Sequence, residues 1–230
     1  MISKHTLKYE AVPLIGRDPL SNADSLAAAC DFLETMKTRH TIRDFADTPV
    51  ARDVIETCIA AAGRAPSGAN HQPWHFVAVA NPDMKQQIRQ AAEEEERNFY
   101  GGSAGDEWIR ALGPIGTGPD KPHLEVAPWQ IIVFAQRWGA FDNGSRYKNY
   151  YVPESVGLAA GFLITALHIA GLSSLIHTPN PMKFLNPLLN RPASEKPVMI
   201  IAAGHAAANA TVPKAATIKK PLSEILTLLD

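Results

Sequence analysis

One apolar stretch does most to limit the folds open to this chain. Residues 156–172 are rich in alanine, glycine, leucine and isoleucine, and Pro153 and Gly171 mark the expected start and end of a helix. At about 17 residues the stretch reaches only the lower limit for a membrane span, and it contains Thr165 and His168. We therefore predict a long buried helix rather than a transmembrane one. Strands and helices are interspersed around it, which indicates an α+β fold.

The length of 230 residues favours a single domain over residues 1–230. The 22 basic and 23 acidic residues give a net charge of −1, so no basic field is available for nucleic acid and no cationic tail indicates a membrane surface. The N-terminus lacks the apolar segment of a signal peptide, which favours a cytoplasmic protein. Cys30 and Cys58 are too far apart for a CxxC pair, and both are predicted to be small core residues.

Hydrophobic periodicity and turn residues predict the order of the elements. Residues 1–20 are expected to form an extended arm, and Asn143-Gly144 a turn. Asn81-Pro82-Asp83 is a clear helix start, with a cap, a proline and an acid in the first turn. The helices are predicted over 25–38, 51–64, 82–100, 153–171, 181–189 and 221–229, and the strands over 74–80, 131–135, 172–177 and 198–203.

Residues 101–126 differ in character, with many glycines and prolines and one short helical piece around Trp108. So long an irregular stretch in a compact domain indicates a lid or binding loop, although a passive surface insertion stays open. The acids Glu93–Glu96 lie near the C-terminal end of the preceding helix, which is the unfavourable end of its dipole. At least one of them is therefore a candidate for function.

Two short segments carry polar groups that suit a ligand. Thr38–Arg43 places two arginines four residues apart beside a hydroxyl, which fits a phosphate ester, although cations at a helix C-terminus have the same pattern. Ala65–Trp74 combines small residues, which let a flat ligand approach the backbone, with Ser67 and Asn70, which can hydrogen-bond ring heteroatoms. An ordinary helix–strand connection has the same composition, so both interpretations stay open.

Motifs of several other chemistries are missing from the sequence. It has no GxSxG, HExxH or P-loop motif, and the run Gly157–Gly161 begins inside a helix instead of forming a GxGxxG loop. His71 and His75 are four residues apart but fall in a turn and a strand, so we predict no metal site.

Three linked motifs resemble the nitroreductase superfamily: RHTIRDF from Arg39, DTPV from Asp47 and APSGANHQPWHFVAVANP from Ala65. The resemblance implies a nitroreductase-like α+β fold, with a mixed central sheet flanked by helices around the long buried helix. It also implies an FMN-dependent homodimer whose flavin sites are shared between the subunits. The similarity covers nearly the whole chain, from Val12 to Leu222, and is greatest to the iodotyrosine deiodinase family.

That family closes a lid over a halotyrosine, and the resemblance implies a lid insertion over about residues 96–126 here. Glu96 matches the glutamate that pairs with the substrate ammonium, and Lys121 matches the lysine that pairs with its carboxylate. Tyr100 matches a hydroxyl donor one helical turn from Glu96. Ala69 matches the backbone N–H donor to the substrate phenolate. These four residues are the predicted substrate site.

The resemblance also implies which residues bind the flavin. Thr178 matches the hydroxyl that hydrogen-bonds flavin N5 and favours one-electron steps, so it is the predicted catalytic residue. Lys219 matches an arginine that reaches the phosphate. The predicted cofactor-binding residues are Arg39, His40, Thr41, Arg43, Pro66, Ser67, Gly68, Ile176, His177, Thr178 and Lys219.

Two departures from the family pattern fall among the predicted flavin residues. His177 replaces a hydroxyl residue beside Thr178, and Lys219 loses the bidentate geometry of an arginine. The implied reaction is reductive dehalogenation of halotyrosines, with NAD(P)H as the reductant, directly or through a partner reductase. Two alternatives stay open: a general NAD(P)H-dependent nitroaromatic or quinone reductase, and a non-catalytic protein that binds flavin or tyrosine derivatives.

Overall fold

A four-stranded sheet forms the centre of the protein, whose computed structural model describes residues 8–16, 18–141 and 143–229. The sheet contains β1 (Trp74–Val79), β2 (Trp129–Gln136), β5 (Ser173–His177) and β6 (Glu195–Gly204), and a separate hairpin joins β3 (Trp138–Ala140) to β4 (Arg146–Lys148). The strand order is β1-β2-β6-β5, and each neighbouring pair is antiparallel. A parallel contact enters at the outer edge of β5, where Thr41 bridges Ser174.

Helices cover both faces of the sheet. They are α1 (Asn22–Lys37), α2 (Arg52–Ala62), α3 (Pro82–Asn98), α4 (Asp106–Leu112), α5 (His123–Val126), α6 (Val152–Ile169), α7 (Leu185–Leu188) and α8 (Lys214–Thr217). Alternate residues of β2 pack on opposite sides, as the two-residue period of a strand requires. Ile131 and Val133 pack with α2 and α6, whereas Ile132 and Phe134 pack with α3, α5 and α7. The sheet is therefore the middle of three layers.

The predicted long helix is present as α6. Val156, Leu163 and Leu167 pack into the core with α2 and the sheet. The opposite side carries Leu158 and Phe162, which are 47% and 44% exposed. By length and composition alone the helix could cross a membrane, and a third of its residues are buried within the protein. Within the described residues, the apolar outer side of α6 is therefore only partly covered.

Several local predictions are confirmed. The side chain of Asn81 caps α3 by accepting a hydrogen bond from the backbone N–H of Met84 at 2.8 Å. In α2, Cys58 is buried in the core as predicted, together with Ile55 and Ala62. The turn at Asn143-Gly144 lies between β3 and β4, although the sequence did not predict this hairpin.

Two predictions about the ends of the chain are wrong. α1 contains no buried residue, so Cys30 is exposed and is not part of the core. The predicted helix over 221–229 is reduced to one 3₁₀ turn, Leu222–Glu224, and all of its residues are exposed. Both segments have apolar residues at helical spacing, but a short helix needs a surface to pack against, and their own chain supplies none to 221–229 within the described residues.

Candidate functional site

A cleft beside β5 brings together part of the predicted flavin site. The segment after α1 runs along the edge of β5, where the backbone N–H of Ile42 donates to the carbonyl of Ser174 at 3.2 Å. Arg39, Thr41 and Ile176 line a cleft of about 350 Å³ there. The other lining residues are Met36, Gly161, Ile164, Thr165 and Ser174. A guanidinium, a hydroxyl and an apolar wall therefore face one space, while His40 and Arg43 lie half-buried beside it.

The loop after α2 is fixed against the start of α6. Gly68 donates from its backbone N–H to the hydroxyl of Ser155 at 3.2 Å, and the Ser67 hydroxyl accepts from the Gln72 N–H at 2.9 Å. A Cβ atom added at Gly68 would lie 2.6 Å from the carbonyl oxygen of Tyr150, so only glycine fits. Ala69 follows with a φ of 49°, and both it and Pro66 are exposed. The predicted flavin and phenolate loop is thus rigidly placed and open to a ligand.

The predicted lid residues meet in one cluster. Lys121 Nζ lies 3.1 Å from Glu96 Oε2, and their side chains are only 4% and 12% exposed. The same ammonium donates to the Thr117 hydroxyl at 3.1 Å and to the Gly118 carbonyl at 2.5 Å. It also lies 5.8 Å from the centre of the Tyr100 ring. Residues far apart in sequence therefore place a carboxylate, an ammonium and a phenol together.

Glu93 fixes the backbone of this cluster at Lys121. Its Oε1 accepts from the backbone N–H of Lys121 at 2.7 Å and from Arg89 Nε at 2.8 Å. Burial alone would raise the pKa of Glu93, but these hydrogen bonds outweigh it, and the pKa lies below its usual value. Lys85 anchors the following segment, because its ammonium donates to the carbonyls of Glu125 and Ala127 at 2.9 and 2.8 Å. One acid of the Glu93–Glu96 run is therefore a structural anchor of the predicted lid segment.

Two histidines lie buried behind the ion pair. The ring of His123 is 6.4 Å from that of His177, and the Nε2 atom of each has no hydrogen-bond partner in the described parts of the chain. Burial first, and then the charges of Lys121, Arg43 and Arg89 against that of Glu93, lower the pKa of His123 to about 4. Burial, Lys121 and His123 lower the pKa of His177 to about 3. Both rings are therefore neutral at pH 7.

The remaining predicted residues occupy different surroundings. Thr178 follows β5 and is exposed, whereas the His177 side chain points away from the cleft that Ile176 lines, towards Glu96. Lys219 lies on the exposed C-terminal segment, where its ammonium donates to the Ala216 carbonyl at 2.9 Å. Across residues 8–16, 18–141 and 143–229, no group of three or more His, Cys, Asp or Glu could hold a metal ion.

Sequence reasoning missed Glu93 as an anchor and His123 as a buried group within the predicted lid. The acidic run did signal that one of its members has a role, but the helix dipole alone does not say which one. No signal marked His123, because its neighbours Lys121 and His177 come together only in the folded chain.

Comparison with known proteins identifies the family of this chain. The Nitroreductase family profile matches residues 36–205. Iodotyrosine deiodinase of Haliscomenobacter hydrossis is 45% identical over 190 residues, which are 83% of this chain and 86% of that protein. Iodotyrosine deiodinase of Daphnia pulex is 41% identical over 207 residues, which are 90% of this chain and 68% of that protein.

Solved structures agree with the sequence relatives. The crystal structure of an iodotyrosine deiodinase bound to FMN and 3-iodo-L-tyrosine has a TM-score of 0.70 and 29% identity, and covers 86% of this chain and 98% of that one. A nitroreductase with bound FMN from Bacteroides fragilis has a TM-score of 0.64 at 20% identity, covering 87% and 99%, and so shares the fold. The chain therefore belongs to the nitroreductase family, where it groups with the iodotyrosine deiodinases.

Proposed function

We propose that this protein is an FMN-dependent enzyme that reductively dehalogenates halotyrosines. The observation that carries the proposal is the cluster of Glu96, Tyr100 and the buried Lys121, which matches both charges of an amino acid and adds a hydroxyl. The related deiodinase whose structure contains FMN and 3-iodo-L-tyrosine supports the same pairing of cofactor and substrate.

The residues beside β5 fit FMN. Arg39 offers a fork of donors to a phosphate, and Thr41 adds a hydroxyl in the same cleft. The loop at Gly68 is held against Tyr150 and Ser155, which fixes the position of the exposed backbone at Ala69 next to it. Bound there in its reduced state, FMN would supply the two electrons that, with one proton, replace the carbon–halogen bond by a carbon–hydrogen bond and release halide.

The lid residues bind and orient the substrate. Glu96 takes the substrate ammonium and Lys121 takes the carboxylate, so the two side chains exchange their mutual ion pair for two pairs with the ligand. The Tyr100 hydroxyl donates to the same end of the molecule. The Ala69 N–H holds the phenolate at the other end, so the ring is fixed at both of its polar groups. Closure of the lid excludes water, which strengthens each of these charged contacts.

We also propose a cytoplasmic homodimer with shared flavin sites and NAD(P)H as the reductant. The dimer is supported by α1, whose residues are all at least partly exposed, and by the exposed apolar side chains Leu158 and Phe162 on α6. A second copy packed on these helices would cover them and lie next to the cleft that contains Arg39. The net charge of −1 supports neither a nucleic-acid partner nor attraction to an anionic membrane.

The test is a single-turnover assay without oxygen. The FMN-loaded protein is reduced with dithionite and mixed with 3-iodotyrosine, and tyrosine is measured against free FMN. We expect stoichiometric tyrosine from the wild-type protein. Lys121→Ala should form at least about ten-fold less tyrosine in the same time, since a charged pair with the substrate is lost. Lys183→Ala, which changes an exposed lysine outside the lid, serves as the matched control. A flavin-loaded protein that forms no tyrosine would contradict the proposal.

A further inference from the structure

His177 has a buried side chain that neither the flavin cleft nor the core accounts for. The alternation of β5 places Ser174 and Ile176 on the side of the cleft and buries His177 on the other side, where only 7% of the residue is exposed. Its Nε2 atom has no hydrogen-bond partner in the described structure and lies 3.8 Å from Glu96 Oε1. A buried ring nitrogen without a partner costs free energy, so its presence at this position calls for an explanation.

The two oxygens of Glu96 face different partners. Oε2 pairs with the Lys121 ammonium at 3.1 Å, and Oε1 faces His177 just beyond hydrogen-bond distance. Under the proposed function, the substrate carboxylate draws Lys121 away from Glu96. Glu96 then loses the cation that holds its side chain in place, while it must still aim an oxygen at the substrate ammonium. His177 is the nearby group that can take over this task with little movement.

We propose that His177 is a positioning residue that fixes Glu96 for the substrate ammonium. The imidazole donates from Nε2 to Glu96 Oε1 once Lys121 has moved to the substrate carboxylate. The inference rests on the proposed function, because it requires a zwitterionic ligand under the lid. Its test therefore separates the anchoring of the zwitterion from the chemistry at the flavin.

A neutral imidazole suits this role better than a cation would. A charged ring beside Glu96 would compete with the substrate ammonium for the same carboxylate, whereas a neutral N–H donates one hydrogen bond and leaves the negative charge to the substrate. The surroundings keep the ring neutral, because burial is the largest cause that lowers the pKa of His177, and it does not depend on where the Lys121 ammonium lies.

The experiment compares two ligands that share a reactive ring. 3-Iodotyrosine carries the zwitterion, and 2-iodophenol lacks it. Binding to the oxidised FMN-loaded protein is followed by quenching of flavin fluorescence, and KM and kcat are measured for both ligands. We expect His177→Phe to weaken 3-iodotyrosine binding about ten-fold, the loss of one hydrogen bond to a charged group, and to raise its KM with little change in kcat. Binding of 2-iodophenol should stay within about two-fold.

Two further variants make the test specific. His177→Gln, whose amide N–H can replace the Nε2 donor, should recover most of the affinity for 3-iodotyrosine. His123→Phe removes the neighbouring ring, which does not face Glu96, and should leave the ratio of the two affinities unchanged. If His177→Phe does not retain FMN, the smaller His177→Thr takes its place with the same expected ratio.

The outcomes separate the inference from the proposed function. An unchanged affinity ratio in the flavin-loaded His177 variant, or an equal loss for both ligands, would overturn the positioning role alone. If the wild-type protein binds 3-iodotyrosine no better than 2-iodophenol, the assignment of the lid cluster to the zwitterion fails, and the role of His177 fails with it.

Discussion

Lowering the pH should destabilise this protein already at pH values well above those at which carboxylates titrate. His123 and His177 are buried with pKa values lowered to about 4 and about 3, against about 6.5 in an unfolded chain. The folded state therefore binds fewer protons than the unfolded state. Stability is complete above pH 6.5, falls as the pH decreases through that value, and levels off only near the two lowered pKa values.

The size of this loss follows from the pKa differences. Between pH 6.5 and 5 each histidine removes about 1.4 kcal/mol per pH unit, so each lowers the free energy of unfolding by about 2 kcal/mol. Burial also lowers the pKa of His75, which adds to the loss in the same direction. The lowered pKa values of Glu93 and Glu195 act at more acidic pH, because carboxylates in an unfolded chain titrate near 4.3.

Urea unfolding at pH 8 and pH 5, with saturating FMN and a fixed protein concentration, measures this difference. His177→Phe should lose about 2 kcal/mol less than the wild-type protein between the two pH values, because the ring that must be protonated on unfolding is gone. His205→Phe, which removes an exposed imidazole, is the matched control and should lose as much as the wild type. Equal losses in His177→Phe and the wild type would refute the assignment of a buried neutral imidazole.

Two further substitutions test the loop and the lid anchor. Gly68→Ala should lower the free energy of unfolding by about 1–3 kcal/mol and reduce FMN retention, because the new Cβ would lie 2.6 Å from the Tyr150 carbonyl oxygen. Gly113→Ala, with open space around its added Cβ, is the control and should do neither. Thermal unfolding and the amount of bound FMN measure the two effects, and a fully loaded Gly68→Ala protein of wild-type stability would contradict the packing argument. Lys85→Met should cost about 2 kcal/mol or more, because two carbonyls at the end of α5 lose their buried donor. Urea unfolding and the rate of proteolysis in residues 101–126 measure that loss, and wild-type values for both would show that Lys85 is not the anchor.

Local sequence patterns correctly predicted the helices whose apolar faces are covered by other parts of the same chain. α2 and α3 have apolar faces that pack on the sheet, so periodicity and the Asn81 cap were sufficient. The same reasoning failed for Cys30 because periodicity shows that a face is apolar, not which surface covers it. α1 has no buried residue within the described structure, so what covers it cannot be derived from one copy of the sequence.

The sequence predicted the substrate residues and the flavin cleft of the candidate site to different degrees. Glu96 and Lys121 were matched by resemblance, but their direct contact depends on how the lid packs. Strand alternation alone allows only one of Ile176 and His177 to face the cleft with its side chain, and the structure selects Ile176. Glu93 looked unfavourable in sequence because its stabilising donors, a backbone N–H and an arginine, are supplied by the fold.

Under the proposed function, the ion pair between Glu96 and Lys121 would make the predicted lid reject ligands that carry only one of the two charges. A ligand with an ammonium alone would pair with Glu96 and leave the buried Lys121 without a counter-ion. A ligand with a carboxylate alone would pair with Lys121 and leave Glu96 without one. Separating a buried pair without replacing both partners costs about 3–5 kcal/mol. Decarboxylated or deaminated relatives of a halotyrosine would therefore be excluded although they carry the same ring, and selection among amino acids with intact backbones is left to the flavin side of the site.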